Sequence, residues 1–397
     1  MDTEAKLAQL GDAASYDVAS TATRKRTKGA AAVPGICHTA GAGAGGSLLR
    51  VLMSDRCVHD CSFCPLRASA PRRRTAFTPD ELARTFTQLH SAGHVDGLYL
   101  SSAVEGTADA AMDSMLGAVE RLRVRDGFDG YVHLKLLPGA ADSIVEEAAR
   151  LASRVSINVE VPTGAYLNRL GTGKDMARDI LRPMRLLHKM EQEGLLPNGI
   201  TTQYVVGAAG ESDREIVDSV RWLTSEVGLR RAYFGTFYPA PGTPLEEGVA
   251  THPSRPARLY QAEWLSRIYG LADADIDAAF NGGGDLPLSV DPKVAAALAQ
   301  PARFPLDVNT ASPEDLLRVP GIGPVSSRRI ISLRRAHRFT TVEQLKKAGV
   351  AVGRALPFIL IDGRAPEGAA IAASHLARLR AAPPSEFGVQ LALPGLV

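Results

Sequence analysis

Residues 56–66 read RCVHDCSFCPL and put Cys57, Cys61 and Cys64 within eight consecutive positions of a chain that has one other cysteine, Cys37. A disulfide framework distributes an even number of cysteines along a small secreted domain, and this chain does not. A closed zinc site takes four ligands, usually from two paired knuckles, and no second CxxC follows. A zinc reading has to recruit His59, or Cys37 with His38 of GICH. Three thiolates on an iron–sulfur cluster leave one iron without a protein ligand, and that open position has chemical use.

Composition bounds the setting. The 397 residues carry ordinary apolar content and a net charge of +2, which suits two or three globular domains and does not by itself announce a nucleic-acid partner. The first residues, MDTEAKLAQLGDAASYD, lack the apolar core of a signal peptide, and no later run is long enough to cross a bilayer. Clustered cysteines without a disulfide pattern point to a reducing compartment, so the expectation is a cytoplasmic protein with no membrane partner.

Working outward from the cysteines, residues 47–245 alternate short apolar strands with amphipathic helices. The strand candidates are SLLRVLMS, GLYLSS, YVHLKLL, RVSINVEV, TTQYVVG and RAYFGTFYP, six in all. A helix opens at TPDELARTF, where Thr78 caps, Pro79 suits the first turn and Glu81 completes a capping box. Six β-α units predict an α/β fold, a parallel sheet with helices outside and chemistry at the carboxyl ends of the strands. Residues 1–46 read as an amino-terminal extension containing the basic stretch TRKRTKG and the tract AGAGAGG, which lacks the lysine and Ser/Thr of a phosphate loop. Residues 246–304 read as a helical linker packed on the barrel, with Tyr260, Trp264 and Ile268 recurring at helical spacing as its buried stripe. Residues 305–364 form a further unit, and 365–397 a tail.

The CxxxCxxC spacing, with Phe63 before the last cysteine and a strand immediately upstream, resembles the motif of the radical S-adenosylmethionine (SAM) superfamily. The resemblance implies a partial (β/α)6 TIM-like barrel and a 4Fe-4S cluster on Cys57, Cys61 and Cys64. It also implies SAM chelated at the open iron, and reductive cleavage of SAM to a 5'-deoxyadenosyl radical that abstracts hydrogen from substrate. Ser101, Ser102 and Glu105 of LYLSSAVEGT stand where that superfamily binds the methionine amino group, though the usual glycines are missing. Asn158 and Glu160 alternate onto one strand face and suit the ribose hydroxyls, or merely cap the strand end. QYVVGAAGESD, with Gln203, Gly207 and Gly210, is similar to the superfamily's adenine-binding segment. His133 and Lys135 share a face of the third strand, and if it points inward they are the candidate catalytic contacts to substrate or to the cofactor carboxylate.

A second signature spans residues 305–362. The stretch DVNTASPEDLLRVPGIGPVSSRRIISLRRAHRF has Ser312 as a cap, a VPGIG turn, and a helix from Pro324. It resembles the helix-hairpin-helix module of DNA repair proteins and predicts a small all-α carboxyl-terminal domain. Gly321 and Gly323 permit backbone amides to face a phosphate oxygen, and Arg328, Arg329, Arg334, Arg335 and Arg338 follow with no acidic residue from Arg318 to Arg338. The whole chain resembles a bacterial family of radical SAM proteins assigned to DNA modification or repair, on KLAQLGDAASYDV, GICH, HLKLLPGA, INVEVPT and RLYQAEWL as well. That resemblance implies DNA as the partner, a neighbouring protein like uracil-DNA glycosylase, and an electron donor such as ferredoxin or flavodoxin. An RNA-modifying radical enzyme and a redox-sensing DNA-binding protein without SAM cleavage are the competing readings.

Overall fold

The sheet is built from strands whose two faces are both covered, which is why they read as nearly continuous apolar runs. In the computed structural model, which describes residues 2–16, 34–38 and 46–381, seven strands lie in sequence order. They are β1 (Ile36–His38), β2 (Ser47–Leu52), β3 (Gly97–Ser101), β4 (Tyr131–Lys135), β5 (Arg154–Ser156), β6 (Ile200–Val206) and β7 (Arg231–Thr236). β2 to β7 pair in parallel and make the curled, open sheet of a partial barrel. β3 is buried at every position. These six strands are the six expected ones.

β1 is an addition. GICH pairs antiparallel with β2 through Ile36–Leu49 and Cys37–Leu48, so part of the stretch expected as an extension completes the sheet edge. The helix α1 (Thr3–Ala13) buries Leu7 and Leu10, and its Lys6 reaches Glu81 at 2.7 Å. TRKRTKG, most of AGAGAGG and the tail beyond residue 381 lie outside the described residues.

The crossovers carry α2 (Pro79–Ser91), α3 (Ala108–Glu120), α4 (Asp142–Leu151), α5 (Gly164–Arg169), α6 (Arg182–Gln192) and α7 (Asp213–Val227). The Thr78–Glu81 capping box at the head of α2 is closed from both sides, at 3.2 and 2.8 Å. The described residues divide into two compact units: one runs to Glu211 and from Ser219 to Thr251, the other holds Ser212–Asp218 and the described residues from His252 onward.

The second unit contains α8 (Ser254–Arg267), α9 (Asp273–Asp277), α10 (Pro292–Leu298), β8 (Leu306–Asp307), α11 (Pro313–Arg318), α12 (Pro324–Leu333), α13 (Val342–Lys347), α14 (Val352–Ala355), β9 (Ile359–Leu360) and α15 (Ala369–Ala381). Its core joins Val308, Leu316, Val319, Ile322, Ile330, Phe339, Leu345 and Phe358, and it takes in Ala297 of α10. The expected stripe on α8 is displaced. Leu259, Ala262 and Leu265 are buried, Ile268 is exposed, and Trp264 lies at the edge under the Arg267 guanidinium. The smaller aliphatic side chains fill the interior, while the two terminal nitrogens of buried Arg258 donate to Gln261 at 2.9 Å and to the Leu288 carbonyl at 2.7 Å.

Gly321 closes the turn between α11 and α12 at φ +84°, and a Cβ there would stand 2.4 Å from the Ala351 carbonyl oxygen. Strain and clash act together, so Gly321→Val is expected to destabilise this unit by about 3 kcal/mol. Thermal unfolding followed at Trp264, in a chain whose other tryptophan, Trp222, is replaced by Phe, measures it.

Candidate active site and nucleic-acid interface

The loop between β2 and α2 carries the three cysteines, and a buried aspartate and a half-buried arginine fold it. Asp55 is fully buried and its carboxylate accepts from the Thr75 amide at 2.7 Å, Gln9 at 2.7 Å and Arg72 at 3.3 Å. Arg74 donates to the carbonyls of Asp55 (2.6 Å), Leu66 (3.0 Å), Arg67 and Ala68 (3.2 Å). One planar guanidinium thereby gathers the far side of the loop. Asp60 takes Arg67 at 2.8 Å and the Ser69 amide at 3.0 Å, and these bonds hold its carboxyl well below the usual range. Glu105, expected at the cofactor, instead braces this loop through Ser54 at 2.6 Å and Arg56 at 2.9 Å.

Burial pushes the Cys61 thiol up to about 12, against the pull of Lys174, and raises Cys64 for the same first reason. A metal-binding cysteine must lose its proton, and burial opposes that loss at these two positions. Among the described residues no three His, Cys, Asp or Glu side chains are placed to hold a single metal ion. A cluster makes a different demand, one thiolate for each of three separate irons.

All three cysteines line a cavity of about 670 Å³ at the carboxyl ends of the strands. That volume lies within the ordinary range for small-ligand sites. Ser101 and Ser102 reach it from the end of β3, Lys135 from β4, Asn158 and Glu160 from the segment after β5, and Gln203 from β6. His133 shares its face with Lys135 but sits one layer deeper, where its ring meets Tyr99 edge-on at 4.5 Å; it is not on the cavity wall. Gly207 and Gly210 are also off the wall, in a turn fastened by the Glu211 carboxylate to the Gly207 and Ala209 amides.

Glu160 is held at φ +64°, a left-handed backbone costing a non-glycine residue about 1–3 kcal/mol. The strain persists because both its backbone groups are tied to β6, the amide to the Gln203 carbonyl at 3.0 Å and the carbonyl to the Val205 amide at 2.8 Å. The carboxylate lies 3.4 Å from the Asn158 amide and 3.6 Å from the Lys174 ammonium.

Lys174 is the site residue that strand reading missed. It follows α5, outside any strand, and returns to the cavity because Gly171 and Gly173 turn at φ +58° and +67° while the Ser62 amide bonds the Leu170 carbonyl at 2.9 Å. Burial works against its charge, but Glu160 and the three thiols outweigh that and raise its pKa. The only sequence signal was a lysine between turn residues in LNRLGTGKD. His59, Phe63 and residues 236–241 are also on the wall.

In the second unit, α12 begins beyond the glycine turn. The Gly323 amide, expected to face phosphate, is already given to Ser326 Oγ at 2.8 Å. The amides without helical carbonyl partners there are those of Val325 and Ser326. Arg328, Arg329 and Arg335 are exposed. Arg334 is not part of this face, because its guanidinium donates to the carbonyls of Val308 at 3.0 Å and Ala311 at 2.7 Å inside the unit. Arg338 pairs with Asp362 at 2.6 Å.

The model of the radical SAM superfamily matches residues 51–223, which hold the cysteine loop, Glu160 and Lys174. The chain contains a radical SAM domain. A helix-hairpin-helix motif matches residues 304–349. No protein of curated function matches the chain. Among solved structures, this chain is similar to HydG, a maturase of the FeFe-hydrogenase, at 12% identity and TM-score 0.43, over 54% of this chain and 48% of that one. It is similar to methylornithine synthase (PylB) at 19% identity and TM-score 0.41, over 50% and 55%. A radical SAM methyltransferase from Sphaerobacter thermophilus matches at 13% identity and TM-score 0.43, over 57% and 65%. The chain therefore spans about half of the first two structures and under two thirds of the third. Proteins of the superfamily use a 4Fe-4S cluster and SAM. The residues present fit that pair: three thiols on one wall, and hydroxyl, amide, carboxylate and ammonium groups around a cavity of suitable volume.

Proposed function

We propose that this radical SAM protein is an enzyme that modifies or repairs DNA, holding duplex through its hairpin unit while the barrel cavity performs the chemistry. The observation that carries the DNA reading is the exposed, acid-free arginine face of α12 beside first-turn amides, in the same chain as the three-cysteine cavity. When bound, the cluster and SAM supply a 5'-deoxyadenosyl radical for hydrogen abstraction. Cys57, Cys61 and Cys64 hold the cluster. Asn158 and Glu160 take the ribose hydroxyls, Ser101 and Ser102 the methionine end, and Gln203 the adenine side, backed by the Gly207–Gly210 turn. Lys174 fixes the Glu160 carboxylate, Lys135 is the contact aimed at substrate, and His133 supports the wall behind it through Tyr99. Backbone amides and arginines grip phosphates without reading bases, so selection rests with the cavity. A base or sugar reaches it only when unpaired or extruded.

Arg328→Glu with Arg329→Glu is expected to weaken DNA binding by about tenfold or more and to lower the salt dependence by about two phosphates. Uncoupled SAM cleavage should stay within about twofold of the unaltered chain, because the radical SAM unit is untouched. Binding titrations at several salt concentrations, beside 5'-deoxyadenosine assays, make the test. Unchanged binding, or loss of cleavage, contradicts a modular anchor.

A further inference from the structure

Lys293, in α10, is a lysine where lysine is expensive: only 6% of it is exposed. Its ammonium donates to the Ile322 carbonyl at 2.5 Å and stands 4.6 Å from the centre of the Tyr269 ring. Ile322 lies between the two hairpin glycines. The same tyrosine touches the turn from behind, since a Cβ on Gly323 would meet its hydroxyl at 3.2 Å. On the other side the Gly321 carbonyl accepts from the Ala351 amide at 2.9 Å. Two successive inner carbonyls of the turn are therefore held, one by a backbone amide and one by a buried cation.

We infer that Lys293 is a positioning residue for phosphate binding: its ammonium, seated on Tyr269, fixes the Ile322 carbonyl and thereby aims the amides at the start of α12 outward. The inference rests on the reading of this hairpin as a phosphate anchor. A peptide unit is rigid and planar, so holding the Ile322 oxygen inward fixes the orientation of the Gly323 peptide, and with it the direction in which α12 starts. Lys293 has no need to touch the ligand. A buried ammonium with no carboxylate of the described residues in direct contact is otherwise a poor use of a core position, where Met or Leu would pack at no electrostatic cost.

The surroundings keep its charge adjustable. Burial pushes Lys293 down to about 7; Asp291 on its own helix opposes this and Arg354 adds to it. Asp291 is itself committed to Arg354 and to the Lys293 and Val294 amides. Tyr269 covers the ammonium, and Asp275 and Arg318, paired with each other at 2.9 Å, share the small cavity beside it. Below neutrality the ammonium is charged and its bond to Ile322 is the stronger, charge-assisted kind; above it the amine is neutral and the bond weakens.

The test measures binding of the full chain to a short mixed-sequence DNA duplex, for the protein with Lys293 and for Lys293→Met, both in a His337→Gln background that removes the exposed imidazole following α12. Expected for Lys293→Met is about tenfold weaker binding at matched salt with an unchanged salt slope, whereas Arg328→Glu lowers the slope by about one. The protein with Lys293 should also bind several-fold more weakly at pH 8.5 than at pH 6, a trend that Lys293→Met should lack. Equal affinity of the two proteins overturns the inference and leaves the anchor standing. A salt slope lowered by one in Lys293→Met also overturns it, because that marks a direct phosphate contact. If Lys293→Met fails to fold, the pH profile of the protein with Lys293 decides, and a flat profile overturns the inference. No binding by that protein to DNA or to a structured RNA of equal length overturns both the inference and the anchor reading.

Discussion

Alanine at Cys57, Cys61 and Cys64 together is expected to reduce bound iron to background after anaerobic reconstitution and to abolish 5'-deoxyadenosine formation. The three thiols are the soft ligands of the cavity wall, and no arrangement of the other groups there replaces them. Serine at Cys37 alone is expected to change neither quantity. Cys37 lies in β1, paired across to Leu48, and is not among the cavity-lining residues. Its thiol is pushed up by burial, with Arg50 opposing, which suits an inert side chain. Iron and sulfide analysis with spin resonance of the reduced protein checks both halves. Full iron in the triple variant would remove the cysteine assignment.

The second large effect is structural. Asp55→Ala is expected to cost the radical SAM unit about 3 kcal/mol, because it leaves the buried Thr75 amide without its acceptor and takes from the half-buried Arg72 guanidinium and Gln9 amide the carboxylate they share. The loop it organises carries the cysteines, so iron occupancy after reconstitution should fall in parallel. The chain has two tryptophans, Trp222 on α7 and Trp264 on α8. Replacing Trp264 by Phe leaves Trp222 to report denaturant unfolding of the barrel unit, which separates its transition from that of the other unit. Unfolding at the same denaturant concentration in Asp55→Ala would contradict the role given to this carboxylate.

The features legible in the sequence are those whose signal is local. Six strands announce themselves as apolar runs because both faces of a parallel sheet are buried, and the cysteine spacing is read directly along the chain. The alternation rule for strands pairs Asn158 with Glu160 and both do meet the cavity, but they do so from the segment after β5, where the left-handed backbone at Glu160 is not that of a strand. That same rule places His133 with Lys135 but carries no information on depth, and His133 lies below the wall. Long-range features leave little local trace. Lys174 arrives from a loop after α5, Arg74 binds carbonyls that no side-chain pattern records, and β1 is three residues long, too short for any period. Arg334 looks like its exposed neighbours in the sequence, yet its guanidinium is spent on two carbonyls. On α8 the buried face is centred away from the aromatic stripe, because aromatic residues at helical spacing lie at the edge of such a face as readily as at its centre.

The most direct test of a radical SAM chemistry aimed at DNA is isotope transfer. Reduced, cluster-loaded protein is incubated anaerobically with SAM and a panel of DNA duplexes carrying damaged, modified or mismatched nucleotides deuterated on the base or the sugar, and 5'-deoxyadenosine is analysed by mass spectrometry. Deuterium is expected in 5'-deoxyadenosine from at least one altered nucleotide, with unpaired sites reacting better than paired ones and unmodified duplex giving none. Label arriving from a deuterated tRNA or protein and from no member of the DNA panel would contradict DNA as the substrate.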